Sequence, residues 1–130
     1  MEVLQPQDWA RPRGYANGIT AEGRLVFVAG QIGWDETQTI VSDDLVDQLR
    51  QTLANTLAVL REAGAGPQHV TRMTWYVTDK REYLARAREL GEAYRTLMGR
   101  HYPAMAVVEV SALIEDRAKV EIETTAVIST

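Results

Sequence analysis

No cysteine occurs among the 130 residues of the chain, which excludes disulfide bonds, thiolate metal ligands and a cysteine nucleophile. The two histidines, His69 and His101, lack the spacing of a metal site, and neither accompanies a serine in a nucleophile elbow. Neither a Gly-x-x-x-x-Gly-Lys phosphate loop nor a Gly-x-Gly-x-x-Gly fingerprint is present. We therefore expect no metal and no cofactor, and a site that works through carboxylates.

Long apolar runs and an excess of basic residues are also missing. No apolar run approaches the roughly 20 residues of a membrane span, and the first residues show no basic region followed by an apolar core. The chain contains fourteen Lys and Arg residues and eighteen Asp and Glu residues, which gives a net charge of −4. Because nucleic-acid binding needs a basic footprint, we expect no nucleic-acid partner. We also expect no membrane partner and a cytoplasmic location.

The composition that remains is typical of a globular protein, with 45% hydrophobic and 25% charged residues. The length suits one domain that is large enough to bury a substantial core. No internal repeat, linker or low-complexity segment divides the chain. We therefore expect a single domain that spans residues 1–130.

The first quarter of the chain predicts an arm followed by a hairpin. Residues 1–13 contain two prolines and no periodicity, which favours an extended arm. Residues 16–20 and 25–29 have the composition of strands, and the turn signal Glu22-Gly23 between them predicts a β-hairpin. Residues 30–33 end the second strand with two glycines, a pattern typical of a bulge or of a place where a ligand approaches the backbone amides.

The middle of the chain predicts two helices separated by a strand. Ser42 is the expected N-cap of the first helix, which a leucine every three or four residues marks with one apolar stripe. Residues 70–77 are rich in β-formers and predict a strand. The second helix is expected over residues 81–98, with Gly91 packed closely against the sheet. The predicted apolar faces are Leu45, Leu49, Leu53, Leu57 and Leu60 in the first helix and Leu84, Ala87, Leu90, Gly91, Tyr94, Leu97 and Met98 in the second.

Two strands are expected near the end of the chain, over residues 103–110 and from residue 119 onward. Both alternate in polarity with a period of two, and we expect them to pair antiparallel through a turn at residues 113–117. The predicted order is β-β-α-β-α-β-β, an α+β fold with two helices on one face of the sheet. The other face would remain uncovered, which predicts self-assembly.

Four segments, in this order, resemble the RidA/YjgF/UK114 family: Gly14-Tyr15 and residues 27–32, 103–110 and 119–123. The resemblance covers nearly the whole chain. It implies a fold like that of YjgF and chorismate mutase, assembled as a homotrimer whose sheets form a central barrel. The family consists of small trimeric proteins best known as enamine and imine deaminases, so a small-molecule pocket between subunits is expected.

The resemblance also assigns roles to individual residues. Glu121 corresponds to a glutamate that helps to position water for hydrolysis of a C=N bond, which makes it the candidate catalytic residue. Tyr15 corresponds to a tyrosine that lines the site, and backbone amides near Gly30 and Gln31 contribute to substrate binding. On the residues alone, the favoured interpretation of Glu121 and Glu123 is that they are solvent-facing strand residues paired with Lys119. The resemblance favours a pocket role for Glu121 only.

One departure from the family pattern changes the expected substrate. The active deaminases of the family read Pro-Ala-Arg at the start of the late strand, and that arginine holds the substrate carboxylate through two parallel hydrogen bonds. Here the position is Met105, which has neither charge nor donor, and Val107 replaces a residue that is often small and polar or a cysteine. Met105 is also a plausible core residue. We therefore predict that ordinary imino-acid deaminase activity is absent.

Three interpretations remain open on the sequence. The chain is a divergent deaminase-type hydrolase, in which Met105, Val107 and Trp34 hold an apolar part of a larger or less anionic substrate. Alternatively, it is a trimeric small-molecule-binding protein without catalysis. A third interpretation is that another cation restores carboxylate binding, for which Arg13, Arg72 and Arg100 are the candidates.

Overall fold

Six strands and three α-helices make up the protein, whose structure, a computed structural model, describes residues 1–130. A short 3-10 turn, Pro67–His69, precedes the fourth strand. In chain order the elements are β1 (Glu2–Leu4), β2 (Gly18–Thr20), β3 (Arg24–Ile32), α1 (Leu45–Glu62), β4 (Val70–Val77), α2 (Lys80–Ala85), α3 (Ala87–Met98), β5 (Ala104–Glu109) and β6 (Val120–Ile128).

The four longer strands form one sheet in the order β3-β6-β4-β5. β6 runs antiparallel to both β3 and β4, whereas β5 runs parallel to β4. The helices cover one face of this sheet, because the buried side chains of α1 and α3 share one core cluster with those of β3, β4 and β6. The predicted α+β class, with the helices on one face of the sheet, is confirmed.

The predicted pairing of the last two strands is wrong. β5 and β6 are not neighbours, since β4 lies between them. Polarity with a period of two determines which face a side chain occupies but carries no information on the neighbouring strand. Burial explains the arrangement: β6 alternates fully buried residues along its length and occupies the centre, whereas β5 has no fully buried residue and lies at the edge.

The predicted hairpin across Glu22-Gly23 is also wrong. β2 pairs instead with β1. In this pair, Glu2 of β1 lies opposite Thr20 of β2, and Leu4 lies opposite Gly18. Gly23 lies against the end of β6, where an added Cβ would collide with the carbonyl of Ile128. The turn therefore carries the chain from one small ribbon into the main sheet, and part of the expected N-terminal arm is a strand.

Helix α1 begins two residues later than the sequence predicts. Asp44, and not Ser42, is the N-cap, because its carboxylate accepts the backbone N–H of Asp47 at 3.0 Å. The Ser42 hydroxyl supports this turn by accepting the N–H of Asp44 at 3.0 Å and donating to the Asp47 carboxylate at 2.9 Å. The expected leucine stripe faces the core, with four of its five leucines buried and Leu57 packed at the margin.

The single second helix of the sequence prediction is divided at Arg86 into α2 and α3. Leu84 consequently faces solvent with 61% of its surface exposed, whereas Leu90 and Met98 enter the core. Gly91 does not pack against the sheet as predicted, since an added Cβ there would approach only the guanidinium of Arg95, at 3.2 Å. No helix of the protein is both long enough and apolar enough to cross a membrane.

We expect Asp44→Ala to lower the free energy of unfolding by about 1 kcal/mol at pH 7, because it removes the cap of α1. The pKa of Asp44 lies below its usual range, because Arg86 donates a hydrogen bond to it and the backbone N–H of Asp47 donates another. A lowered pKa gives stability that is present above about pH 4 and is lost as the pH falls through the folded-state value. Urea unfolding at pH 7 and pH 3 should therefore show a smaller difference between variant and wild type at pH 3.

Asp43→Ala is the matched control for this measurement. Asp43 pairs with Arg117 at the surface, where its side chain is 77% exposed. Such exposed pairs contribute about 0–1 kcal/mol, so the control should change stability less than Asp44→Ala does. Equal losses in both variants would contradict the assignment of Asp44 as the cap.

Candidate functional site

A cavity of about 460 Å³ lies on the helix side of the sheet, between α2, α3 and the edge strand β5. Its volume is within the range of small-molecule sites in proteins. Most of its lining is apolar or aromatic, and no acidic side chain is present in it. The lining residues are Arg13, Gly14, Tyr15, Trp75, Tyr83, Ala87, Leu90, Gly91, Tyr94, Arg95, Tyr102, Met105 and Val107.

The segment that carries Tyr15 reaches the cavity by pairing with the free edge of β5. Ala16 forms a parallel bridge with Ala104, and its backbone N–H donates to the carbonyl of Pro103 at 2.9 Å. Gly14 has a φ of +78°, a left-handed conformation that favours glycine and turns the chain just before the bridge. This arrangement covers the sheet edge and places the Tyr15 side chain at the cavity wall.

Stacked aromatic rings form one wall of the cavity. The rings of Tyr94 and Tyr102 stack with their centroids 5.6 Å apart, and Trp75 lies 6.1 Å from Tyr94. Burial raises the pKa of Tyr94 and that of Tyr83, so both phenols remain protonated at neutral pH. The Tyr94 hydroxyl donates to the carbonyl of His101, whereas the buried indole N–H of Trp75 has no hydrogen-bond partner.

Three of the residues predicted for the site lie together in this cavity: Tyr15, Met105 and Val107. Met105 and Val107 are two residues apart on β5, which pairs with β4, so their side chains share one face of the sheet. Both pack against the core cluster, and this face is therefore the helix side. Trp34, which the sequence associates with an apolar substrate group, does not line the cavity. It packs against a small separate cluster that contains Ile40.

Glu121, the candidate catalytic residue, lies elsewhere. Its register partner on β4 is Tyr76, whereas Ile122 pairs with Trp75, whose ring belongs to the core. Because side chains alternate along a strand, Glu121 points to the face opposite the helices. The β3 strand bulges beside it, and an added Cβ on Gly30 would collide with the Glu121 carboxylate. Gly30 and Glu121 are therefore in contact, at a place separate from the cavity.

Glu121 and Glu123 differ in their hydrogen bonds. The hydroxyl of Tyr76 donates to Glu123 at 2.7 Å, which raises the pKa of that tyrosine above its usual value. No side-chain hydrogen bond or ion pair engages Glu121. Lys119 pairs with Glu82 at 3.5 Å and with neither strand glutamate, so the interpretation of these glutamates as partners of the lysine is wrong.

Asn55, which no pattern in the sequence selects, holds the end of β3 in place. The side-chain amide of Asn55, on α1, donates to the carbonyls of Ile32 and Trp34 at 3.1 and 2.8 Å. Gln31, predicted to bind substrate, is half-buried and donates to the carbonyl of Ala29 across the bulge at 3.1 Å. The Asn55 bonds tie the segment that contains Gly30 and Gln31 to the helix layer.

The structure separates the cationic candidates. Arg13 lines the cavity, whereas Arg100 does not, and Arg72 lies with Glu123 in a shallow depression on the open face of the sheet. Arg95, which the sequence reading does not select, also lines the cavity. No group of three or more His, Asp and Glu side chains is arranged to hold a metal ion.

Comparisons with known proteins agree with this architecture. The sequence profile described as "Endoribonuclease L-PSP" matches residues 9–128. A RutC family protein of Pyrococcus horikoshii is 37% identical over 124 residues, which is 94% of each chain. The 2-iminobutanoate/2-iminopropanoate deaminase of Salmonella typhimurium is 34% identical over 113 residues, 87% of this chain and 86% of that protein.

Solved structures give the same result. The Rid family protein YyfB of Yersinia pestis, described as of unknown function, superimposes with a TM-score of 0.86 at 30% identity and 98% coverage of both chains. The TdcF protein of E. coli with bound serine gives a TM-score of 0.70 at 30% identity, over 99% of this chain and all of that chain. The chain therefore belongs to the endoribonuclease L-PSP family, which is the RidA/YjgF family of proteins.

Proposed function

We propose that this protein is a deaminase-type hydrolase that cleaves C=N bonds in small molecules larger than the imino acids derived from simple amino acids. The observation that carries the proposal is that Met105, Val107 and Tyr15 line one cavity, most of whose lining residues are apolar or aromatic. The Salmonella relative is named for its deaminase activity on two such imino acids, which supports the reaction class. The fold that this protein shares with the Salmonella relative does not determine the substrate.

The reaction requires little from the protein beyond positioning. Water adds to the carbon of the C=N bond while a proton reaches nitrogen, and the resulting carbinolamine releases ammonia to give the ketone or aldehyde. In our proposal the Glu121 carboxylate accepts a proton from the attacking water and orients its lone pair toward the carbon. The contact with Gly30 leaves no room for a side chain there, so a substrate can approach both the carboxylate and the β3 backbone.

A complete site requires two copies of the chain. Within one chain, β5 and β6 are separated by β4, or about 10 Å across the sheet, and Met105 and Glu121 point to opposite faces. A ligand in the cavity of one copy can therefore meet only the Glu121 of another. We propose that a homotrimer brings the cavity of one copy and the Glu121 of another together. Exposed apolar residues of the open face, such as Leu25 and Phe27 (57% and 74% exposed), are buried in this trimer.

Met105 is the reason to propose a substrate other than the simple imino acids. A methionine offers no donor to a carboxylate, and a hydrogen bond to a charged group contributes about 1.5–3 kcal/mol. Its flexible thioether, beside Val107 and Trp75, instead suits an apolar group. The loss corresponds to about 10- to 100-fold in kcat/KM for a substrate that relies on that carboxylate contact.

We expect the wild-type protein to hydrolyse freshly generated 2-iminopropanoate slowly and Met105→Arg to do so at least about tenfold faster. The imine can be produced in the cuvette by an amino-acid oxidase, and its disappearance followed by semicarbazide trapping. Met105→Leu is the matched control, because it changes the same position without adding a cation.

The outcomes separate the possibilities. Slow wild-type turnover with rescue by Met105→Arg supports a water-handling site that has lost only the carboxylate contact of β5. Rapid wild-type turnover of 2-iminopropanoate would contradict the proposed substrate. If neither protein hydrolyses this imine or a larger one, hydrolysis is excluded and a trimeric binding protein of the same fold becomes the better assignment.

A further inference from the structure

We propose that the cavity binds a small carboxylate that also carries an aromatic ring, and that Arg95 on α3, in place of a residue of β5, holds the carboxylate group. This inference deepens the proposed function, on which it rests only for identifying the bound molecule as the substrate. It names a ligand class, a ring-bearing anion, and a binding residue that lies outside the segments resembling the family.

The charge of the cavity favours an anion. Two guanidinium groups, Arg13 and Arg95, belong to its lining, and no carboxylate does. Neither arginine takes part in any of the ion pairs of the protein. Two unpaired guanidinium groups beside an apolar cavity attract a carboxylate, which their planar donor geometry fits.

The position of Gly91 links Arg95 to the cavity. The two residues are one turn apart on α3, so their side chains lie on the same helix face. The guanidinium of Arg95 lies over Gly91, with its Nη1 atom 3.2 Å from the place where a Cβ would be. Glycine in the interior of a helix costs about 1 kcal/mol relative to alanine. Here it leaves the space in which the guanidinium reaches the cavity.

The rest of the lining suits a ring. Tyr15, Trp75, Tyr83 and Tyr102 offer aromatic surfaces, and Met105 adds a thioether. Aromatic rings stack on one another, and sulfur makes favourable contacts with ring edges. A molecule that consisted of a carboxylate alone would leave these surfaces uncovered.

Phenylpyruvate is a suitable probe, because it is a stable ketone product of the proposed reaction and combines a ring with a carboxylate. We expect calorimetric titration to show that it binds at least about tenfold more tightly than pyruvate, which lacks the ring. The same margin is expected over phenylacetone, in which a methyl group replaces the carboxylate. Binding requires no turnover, so the titration does not depend on catalysis.

Three variants on α3 test the role of Arg95. Arg95→Met should weaken phenylpyruvate binding by about 10- to 100-fold, and Arg95→Lys by less, because it retains the charge without the planar fork. Gly91→Ala should weaken binding by about threefold or more while raising the melting temperature, since alanine favours the helix. Arg88→Met is the matched control, because Arg88 is exposed on the same helix and outside the cavity lining.

The inference stands if phenylpyruvate binds most tightly and Arg95→Met, but not Arg88→Met, loses the binding. It is overturned if phenylpyruvate does not bind, if the three probes bind equally, or if Arg95→Met binds like the wild type. Tight, Arg95-dependent binding without hydrolysis of any imine would support the ligand class and contradict the proposed function. Imine hydrolysis that depends neither on a ring in the substrate nor on Arg95 would support the proposed function and contradict the ligand class.

Discussion

Glu121→Gln is expected to lower kcat/KM for imine hydrolysis by about 10²- to 10⁴-fold, the contribution typical of a general base. The amide has nearly the same shape as the carboxylate but cannot accept a proton from water. The loss should appear in kcat, with KM changed little, because Glu121 is not among the residues lining the cavity that holds the body of the substrate. Steady-state kinetics on the best imine substrate, with circular dichroism to verify folding, measure the effect.

Glu123→Gln provides an unusually close control for this measurement. Glu123 lies two residues further along β6, so it faces the same side of the sheet as Glu121. It differs in being engaged by the Tyr76 hydroxyl, and the carboxylate nearest to Gly30 is that of Glu121. Activity within about twofold of the wild type is expected. Equal losses in both variants would indicate that the charge of the open face matters and that neither glutamate handles water.

The second large effect is expected from Gln48→Met, which should lower the free energy of unfolding by about 3 kcal/mol. Gln48 is fully buried on α1. Its amide donates to the carbonyls of Ser42 and Arg117 at 2.9 and 3.0 Å, and its oxygen accepts the backbone N–H of Lys119 at 2.8 Å. Methionine fills the same volume but leaves all three backbone groups unsatisfied, so the cost arises from polarity and not from a cavity.

Gln51→Met, three residues along the same helix, is the control for Gln48→Met. Gln51 is half-buried and donates only to the side chain of Asn55, at 2.8 Å, so a change below about 1 kcal/mol is expected. Urea unfolding curves with unchanged m-values measure both variants. Because Lys119 comes just before the strand that carries Glu121, Gln48→Met should also reduce hydrolysis. A stability equal to that of the wild type would show that these hydrogen bonds contribute nothing net.

The hydrogen bonds of Gln48 and Asn55 illustrate what sequence patterns miss. Both residues are polar, and both lie on a helix whose apolar stripe was correctly predicted from its leucines. Neither residue interrupts that stripe, and nothing in the spacing of the chain indicates which glutamine meets a backbone carbonyl 69 residues away. Such partners depend on how the loop after β5 folds back over α1, which is a property of the tertiary structure.

The candidate site likewise combines residues that the sequence selected with residues that only the structure identified. The resemblance to the family selected Tyr15, Met105 and Val107, and the structure places these three in one cavity. Arg95 was not selected, because a lone arginine on a helix has the pattern of a solvated surface residue. Gly91 beside it was the one available signal, since a glycine in a helix interior requires a reason. The sequence suggested close packing as that reason, whereas the structure places a guanidinium over the glycine.

The sequence by itself determined the class of fold and the faces of its elements. Apolar spacing of 3.6 or 2 residues is a local property that directly reflects which side of a helix or strand is buried. The resemblance to the family also assigns Met105 to the position of the family's arginine, and this assignment stays a prediction. Only the tertiary structure decided that β6, and not β5, is central, and that Glu121 and Met105 lie on opposite faces of the sheet. The physical reason is that strand order depends on burial by distant residues, so adjacency along the chain does not specify it.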